Sequence, residues 1–169
     1  RFRTSSDTEV LVHLYEDRGD RMLGLLRGMF ALCIYDGRDR SILLARDAFG
    51  EKPLFYSSCP GDSLVFASEI ASLLASDAIP RRLDYEALSY YLRAGYVPAP
   101  LTMFKDVRQL EPGSWLRWKE GSLTFGRHWD PDFTEAEFND DRDAEASVSD
   151  AIQQAVKREL VSERPLGAF

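Results

Sequence analysis

The run from Leu43 to Ile70 constrains the fold more than any other part of the sequence. Leu43-Leu44-Ala45 leads into Arg46-Asp47, then Leu54-Phe55-Tyr56 and Leu64-Val65-Phe66-Ala67 follow, and Ser68-Glu69-Ile70 opens a helix. Apolar residues stand at successive positions instead of alternating with polar ones. A strand of that kind buries both of its faces, so the sheet it joins lies between other layers. The charges collect where strand gives way to turn, from Arg46 and Asp47 through Gly50 to Lys52, a position from which a rigid sheet presents side chains to a neighbouring layer or a ligand.

Upstream, residues 8–18 are predicted as a helix capped by Asp7, with Val10, Leu11, Leu14 and Tyr15 on one face at 3.6-residue spacing. A short helical piece around 22–26 follows, and Gly28 breaks the chain. Strands over 29–35 and 41–46 flank Asp36-Gly37-Arg38-Asp39 and form a hairpin. A second pair, 54–57 and 64–67, surrounds Cys59-Pro60-Gly61-Asp62. Asp84 caps a helix over 85–94 whose Leu88, Tyr91 and Leu92 make an apolar stripe, and Gly95 stops it. Val97-Pro98-Ala99-Pro100 is expected to be extended. Small strands over 107–110, 114–119 and 122–127 finish the first module's sheet or border it.

The net charge of −7 is unevenly placed. Residues 130–150 hold nine of the 28 acids and one of the 21 bases, which leaves 19 acids against 20 bases elsewhere. A nearly neutral body has no basic surface with which to displace counterions from nucleic acid. Residues 131–140 are acidic and aperiodic, the composition of a solvated linker, and a domain boundary is expected there. From about Asp143, the residues Val148, Ala151, Ile152, Ala155, Val156 and Leu160 mark an amphipathic helix. With 44% hydrophobic residues across 169 positions the chain suits one or two globular domains. No stretch of about 18 apolar residues exists to span a membrane, and no secretory signal opens the sequence, so a cytoplasmic protein with reduced thiols is the expectation.

An ordered series of motifs resembles the glutamine-dependent asparagine synthetase family over nearly the whole chain. The series runs Ser6-Asp7-Thr8-Glu9-Val10, Arg27-Gly28-Met29-Phe30-Ala31, Arg46-Asp47 with Gly50 and Lys52-Pro53-Leu54, then Phe66-Ala67-Ser68-Glu69-Ile70. Tyr96-Val97-Pro98-Ala99-Pro100, Leu110-Glu111-Pro112-Gly113 and Arg164-Pro165-Leu166-Gly167-Ala168-Phe169 continue it. The resemblance implies an α+β fold. It would comprise part of an α-β-β-α class II amidotransferase layer structure, of the Ntn-hydrolase type, over 1–130, an acidic linker over 131–142, and the first helix and strand of an α/β synthetase domain over 143–169, the strand falling over 166–169. It also implies that the family's N-terminal nucleophilic cysteine and Asn-Gly-Glu oxyanion motif belong before Arg1, and its Ser-Gly-Gly-x-Asp-Ser pyrophosphate loop after Phe169. The chain then reads as an internal fragment, inactive alone, with no catalytic residue of its own.

For the site residues, the resemblance assigns Asp7 to the α-amino group of bound glutamine. An ionised acid at a helix N-terminus suits that task, although the same residue read without the resemblance is a plain cap worth about 1 kcal/mol. Arg46 and Asp47 read as a structural ion pair that also satisfies nearby backbone, and Gly50 and Pro53 as turn formers. Lys52 is a candidate interface residue. Glu69 reads as a helix cap, and Ala71 stands where the family usually has lysine. Cys33 fits a buried, inert thiol and cannot replace the nucleophile; nor can Cys59. His13 and His128 read as structural, with no metal-ligand spacing, and Tyr90, Tyr91, Tyr96, Trp115, Trp118 and Trp129 as core or interface packing residues rather than base-stacking ones.

For the full-length enzyme the resemblance implies glutamine, aspartate and ATP as substrates with Mg2+ as cofactor, no nucleic-acid or membrane partner, and room for a homodimer. Two rivals stand beside it. One is an enzyme of the same architecture with another acceptor, β-lactam-forming or acting on a surface polysaccharide. The other is a noncatalytic binding module.

Overall fold

The computed structural model describes residues 2–4, 6–59, 62–134, 138–160, 165 and 167. It divides into two compact units, Arg1–Asp130 and Pro131–Phe169. The first unit opens with helix α1, Asp7–Arg18, which Ser6 rather than Asp7 caps: the Ser6 side chain accepts the Thr8 N–H. Asp7 takes the next position, in the first turn, where its charge still complements the helix dipole. Gly19 ends the helix with a positive φ, and a 3-10 segment, Gly19–Leu25, follows and buries Met22 and Leu23.

Strands β1 (Ala31–Asp36) and β2 (Ser41–Arg46) form the expected antiparallel hairpin, in register from Ala31 opposite Arg46 to Asp36 opposite Ser41. Strands β3 (Phe55–Cys59) and β4 (Ser63–Ala67) form the second, and Cys59 lies buried at a strand end instead of in a turn. The five-residue helix α2, Ile70–Leu74, follows. Of the late strands, β5 is Arg108–Gln109, β6 is Ser114–Lys119 and β7 is Ser122–Arg127. Strand β6 does not border the sheet. It is central, because one sheet runs β1-β2-β6-β7 and the other β4-β3-β5.

The double-sided apolarity of β2 now has its explanation. Leu43 and Ala45 face one way, with Leu32 of β1, into a cluster with Tyr15, Met22 and Leu23 from the helical layer. Leu44 faces the other way, with Leu116, onto Leu54 and Leu110. Alternate side chains of one strand therefore bind the sheet to a helical layer and to a second sheet. On the far side of that second sheet Leu73 of α2 packs with Cys59, Ile79 and Val107. The result is α+β in four layers, helix, sheet, sheet, helix.

Several sequence expectations change in detail. Val10 is 40% exposed and leaves the helix's buried face to Leu11, Leu14 and Tyr15. Cys33 is exposed on β1, an edge strand among the described residues, although partial enclosure still pushes its thiol pKa up. Val97–Pro100 is not wholly extended: the chain turns at Ala99-Pro100, and Leu101 N–H donates to Pro98 O at 3.0 Å. Helix α3, Tyr85–Ala94, has both expected ends, Asp84 accepting from the Glu86 and Ala87 N–H groups and Gly95 in the left-handed region. Its Tyr91 and Leu92 remain exposed.

The second unit contains helix α4, Asp141–Glu159, capped by Asp140 and begun two residues before the expected start. The strand expected over 166–169 falls, Gly167 apart, outside the described residues, as do Pro60 and Gly61 of the β3–β4 turn. No helix among the described residues is long and apolar enough to cross a membrane.

Candidate functional site

Two charged regions adjoin one loop, and they are built differently. At the end of β2, Arg46 and Asp47 are only 5% and 2% exposed. Charges so deep survive only when hydrogen-bonded, and both turn to backbone rather than to each other. Arg46 Nε donates to Lys52 O and Nη1 to Leu110 O, each at 2.7 Å, and Nη2 donates to Gly50 O. Asp47 accepts from four amides: Phe49 and Glu51 on Oδ1 at 3.1 and 3.0 Å, Lys52 and Phe30 on Oδ2 at 3.0 and 3.3 Å. Burial pushes the Asp47 carboxyl up, but those amide donors outweigh it and hold its pKa below the usual range.

The same hub gathers distant chain. Asp47 O accepts the Gly113 N–H at 2.8 Å, and the His128 ring Nε2 lies 2.8 Å from Arg46 O. Phe49 packs on Trp129 with ring centroids 5.0 Å apart, so this tryptophan has the packing role expected of it. Gly50 is required by two constraints at once. Its φ is +68°, and a Cβ would lie 2.8 Å from the Arg46 guanidinium carbon and 2.9 Å from Pro112.

On the other side of the loop lies a cavity of about 630 Å³. Asp7 and Thr8 line it from α1, Arg27 and Met29 from the segment before β1, Lys52 and Pro53 from the loop, and Ser68 from the start of α2's approach. Four of the sequence motifs thus meet at one wall. Arg27 is already engaged there, its Nη1 donating to Gly24 O and Leu26 O at 3.0 and 2.9 Å. Asp7 is exposed, and its one side-chain bond among the described residues is from the neighbouring Thr8 hydroxyl at 3.3 Å. The Lys52 backbone is fixed by Asp47, while its exposed ammonium has no ion-pair partner among the described residues. An open, largely apolar pocket lined by a carboxylate and an ammonium that have no ion-pair partner among the described residues is suited to a small charged amine or amino acid.

Glu69 does not cap as expected. It occupies the N-cap position of α2, but its side chain makes no capping hydrogen bond, and it is exposed. Sequence reasoning passed over Glu9, whose carboxylate accepts Arg3 N–H at 2.7 Å and Thr4 N–H at 2.6 Å. The signal was present in the Ser6-x-x-Glu9 spacing, which marks a reciprocal helix start. Neither thiol lines the cavity: Cys33 opens on a separate one beside Tyr35 and Arg38, and Cys59 is in the core. No group of three or more His, Cys, Asp or Glu able to hold a metal occurs among the described residues.

Comparison with known proteins gives this geometry a family. Asparagine synthetase [glutamine-hydrolyzing] 1 of Bacillus subtilis is 36% identical over 169 residues, covering 99% of this chain and 26% of that protein. Asparagine synthetase [glutamine-hydrolyzing] 3 of the same organism is 35% identical over 172 residues, covering 100% and 27%. The chain therefore spans about a quarter of the length of the curated relatives it matches. Among solved structures, one described as the allosteric regulatory enzyme of purine biosynthesis superposes with a TM-score of 0.50 at 26% identity, covering 76% of this chain and 23% of that one. The layered α+β fold is the class II amidotransferase arrangement that the resemblance implied. Residues 1–129, the layered unit with its cavity and its Arg46–Asp47 hub, match the glutamine amidotransferase domain, and the chain belongs to that family.

Proposed function

We propose that this chain is the glutamine-binding part of an ATP-dependent, glutamine-hydrolysing asparagine synthase. In this reading the Asp7 carboxylate receives the α-amino group of glutamine, and the observation that carries it is the convergence of Asp7, Lys52 and Ser68, from three separate motifs, on one 630 Å³ cavity. Glutamine is a zwitterion with an apolar stem. A pocket whose walls are largely apolar and whose rim holds an exposed acid can bind such a molecule and fix its orientation.

The nucleophile that opens the carboxamide is assigned to chain outside these residues, since neither Cys33 nor Cys59 reaches the cavity. Ammonia released there would pass to a second site, where aspartate activated by ATP as an adenylate becomes asparagine, with AMP and pyrophosphate as products. Free ammonia is mostly protonated at neutral pH, so a shielded path is needed to deliver its nucleophilic form. Mg2+, and the ATP it accompanies, are assigned to the synthetase part that would begin in the second unit. The partners are these small molecules, and the setting is the cytoplasm.

The test is Asp7→Ala in the full-length protein. Loss of one charge-assisted contact is expected to raise KM for glutamine about 10- to 100-fold. Synthesis from added ammonia should hold, and equal loss of both activities contradicts the role. A second expectation concerns the 169-residue chain alone, which should show neither glutaminase nor ligase turnover. Covalent capture of a glutamine analogue by this chain, read by mass spectrometry, overturns that expectation.

A further inference from the structure

The spacing Ser6-Asp7-Thr8-Glu9 is that of a capping box, in which the glutamate turns back to the N–H of the cap residue itself. Glu9 reaches further. One carboxylate oxygen accepts the Arg3 N–H at 2.7 Å, and the other accepts both the Thr4 N–H at 2.6 Å and the Thr4 hydroxyl at 2.5 Å. All three donors lie upstream of the cap. The Thr4 oxygen then accepts the Ser6 N–H at 3.3 Å, and the Ser6 hydroxyl accepts the Thr8 N–H at 3.2 Å. A hydroxyl can donate once and accept twice, so Thr4 serves both partners without conflict.

Asp7 sits inside this relay. The chain is tied before it through Thr4 and Ser6 and after it through Thr8, while its own carboxylate, on a residue lining the cavity, is engaged among the described residues only by the Thr8 hydroxyl. The Thr4 hydroxyl and then the Arg3 N–H are the main groups that hold the Glu9 carboxyl down to about 2.

We infer that Glu9 is a positioning residue for Asp7: through Thr4 it fixes the chain entering α1, and thereby the direction in which the Asp7 carboxylate meets a substrate ammonium. This rests on the proposed glutamine-binding role of Asp7. Its physical basis is that a displacement of about 1 Å in a binding group can cost roughly 100-fold in rate. The alternative is that Glu9 only stabilises the helix start.

The experiment compares Glu9→Gln, Thr4→Val, Asp7→Asn and the Asp7→Asn/Glu9→Gln double variant in the full-length protein. It reads KM and kcat with glutamine, turnover with ammonia, and Tm. Glu9→Gln is expected to raise KM for glutamine about 10-fold while ammonia-driven turnover changes less than about twofold. Thr4→Val keeps the backbone donors and removes only the hydroxyl, so a rise of roughly threefold is expected, and it carries the test if Glu9→Gln does not fold. In the Asp7→Asn background the Glu9 change should add less than about twofold, because the group it orients is already impaired. Multiplying effects overturn the inference, as does a parallel fall of glutamine- and ammonia-driven turnover that tracks a lower Tm. A raised KM in Asp7→Asn beside unchanged values in Glu9→Gln and Thr4→Val sinks the positioning role alone. An unchanged KM in Asp7→Asn sinks the Asp7 reading and this inference together.

Discussion

Arg46 and Asp47 at one end of the loop, and Asp7 and Lys52 at the cavity beside it, are two pairs of opposite charge put to opposite use. The first pair is buried, and its hydrogen-bonding capacity is consumed by backbone from residues 30, 49–52 and 110. The second pair is exposed and, among the described residues, almost unengaged. A charge buried against backbone cannot also greet a ligand without exposing donors that cost free energy to strand. A charge on a cavity wall has been desolvated little, so it remains free to bind. Loop 47–52 couples the two: Asp47 grips the Lys52 amide while the Lys52 side chain stands in the cavity wall. The buried pair thus sets the frame against which the exposed pair is held.

The comparison breaks most readily at Asp47. Asp47→Ala should destabilise the chain by roughly 3–5 kcal/mol, because several amides lose their acceptor at about 1–3 kcal/mol each where no water replaces it. Urea unfolding measures this, and a cost under about 1 kcal/mol refutes the frame role. Its pH dependence has a definite sign. The folded pKa lies below the unfolded one, so the stabilisation is complete above the unfolded carboxylate value of about 3.9 and drains away as pH falls through the lowered folded value. Asp47→Asn should flatten that acid limb in unfolding curves taken between about pH 2 and 6.

Gly50→Ala should cost less, about 1–3 kcal/mol, since it places a Cβ at positive φ against the Arg46 guanidinium. A wild-type Tm in that variant shows the loop can yield, and the two regions are then uncoupled. The smallest effect belongs to the wall. Asp7→Ala, whatever it does to glutamine KM, should shift stability by less than about 1 kcal/mol, the scale of a helix-terminus charge. A larger loss measured by the same urea curves returns Asp7 to the structural class.

Much of the frame was legible along the chain. The hairpin of β1 and β2 and the capped ends of α3 follow from turn residues and local caps, whose causes lie within a few positions. The double-sided apolarity of residues 43–45 correctly implied layers on both faces. Errors arose where a local rule had two candidates. Ser6 and Asp7 are both good caps, and only the observed backbone separates them. Glu69 stands in a cap position without using it. Cys33 reads as buried from its apolar neighbours, but among the described residues β1 lies at a sheet edge, and edge position is a property of strand order rather than composition.

The amino-acid sequence by itself determined which segments become helix or strand and set the order of motifs, because periodicity, caps and turn residues act over single turns and hairpins. Tertiary structure alone decided which charges are consumed and which stay available. Arg46 finds one of its acceptors at Leu110, 64 residues away, and Asp47 one of its donors at Phe30. Those meetings depend on how strands are ordered and sheets are stacked, and burial, which fixes the cost of leaving a charge unpaired, exists only after the layers close.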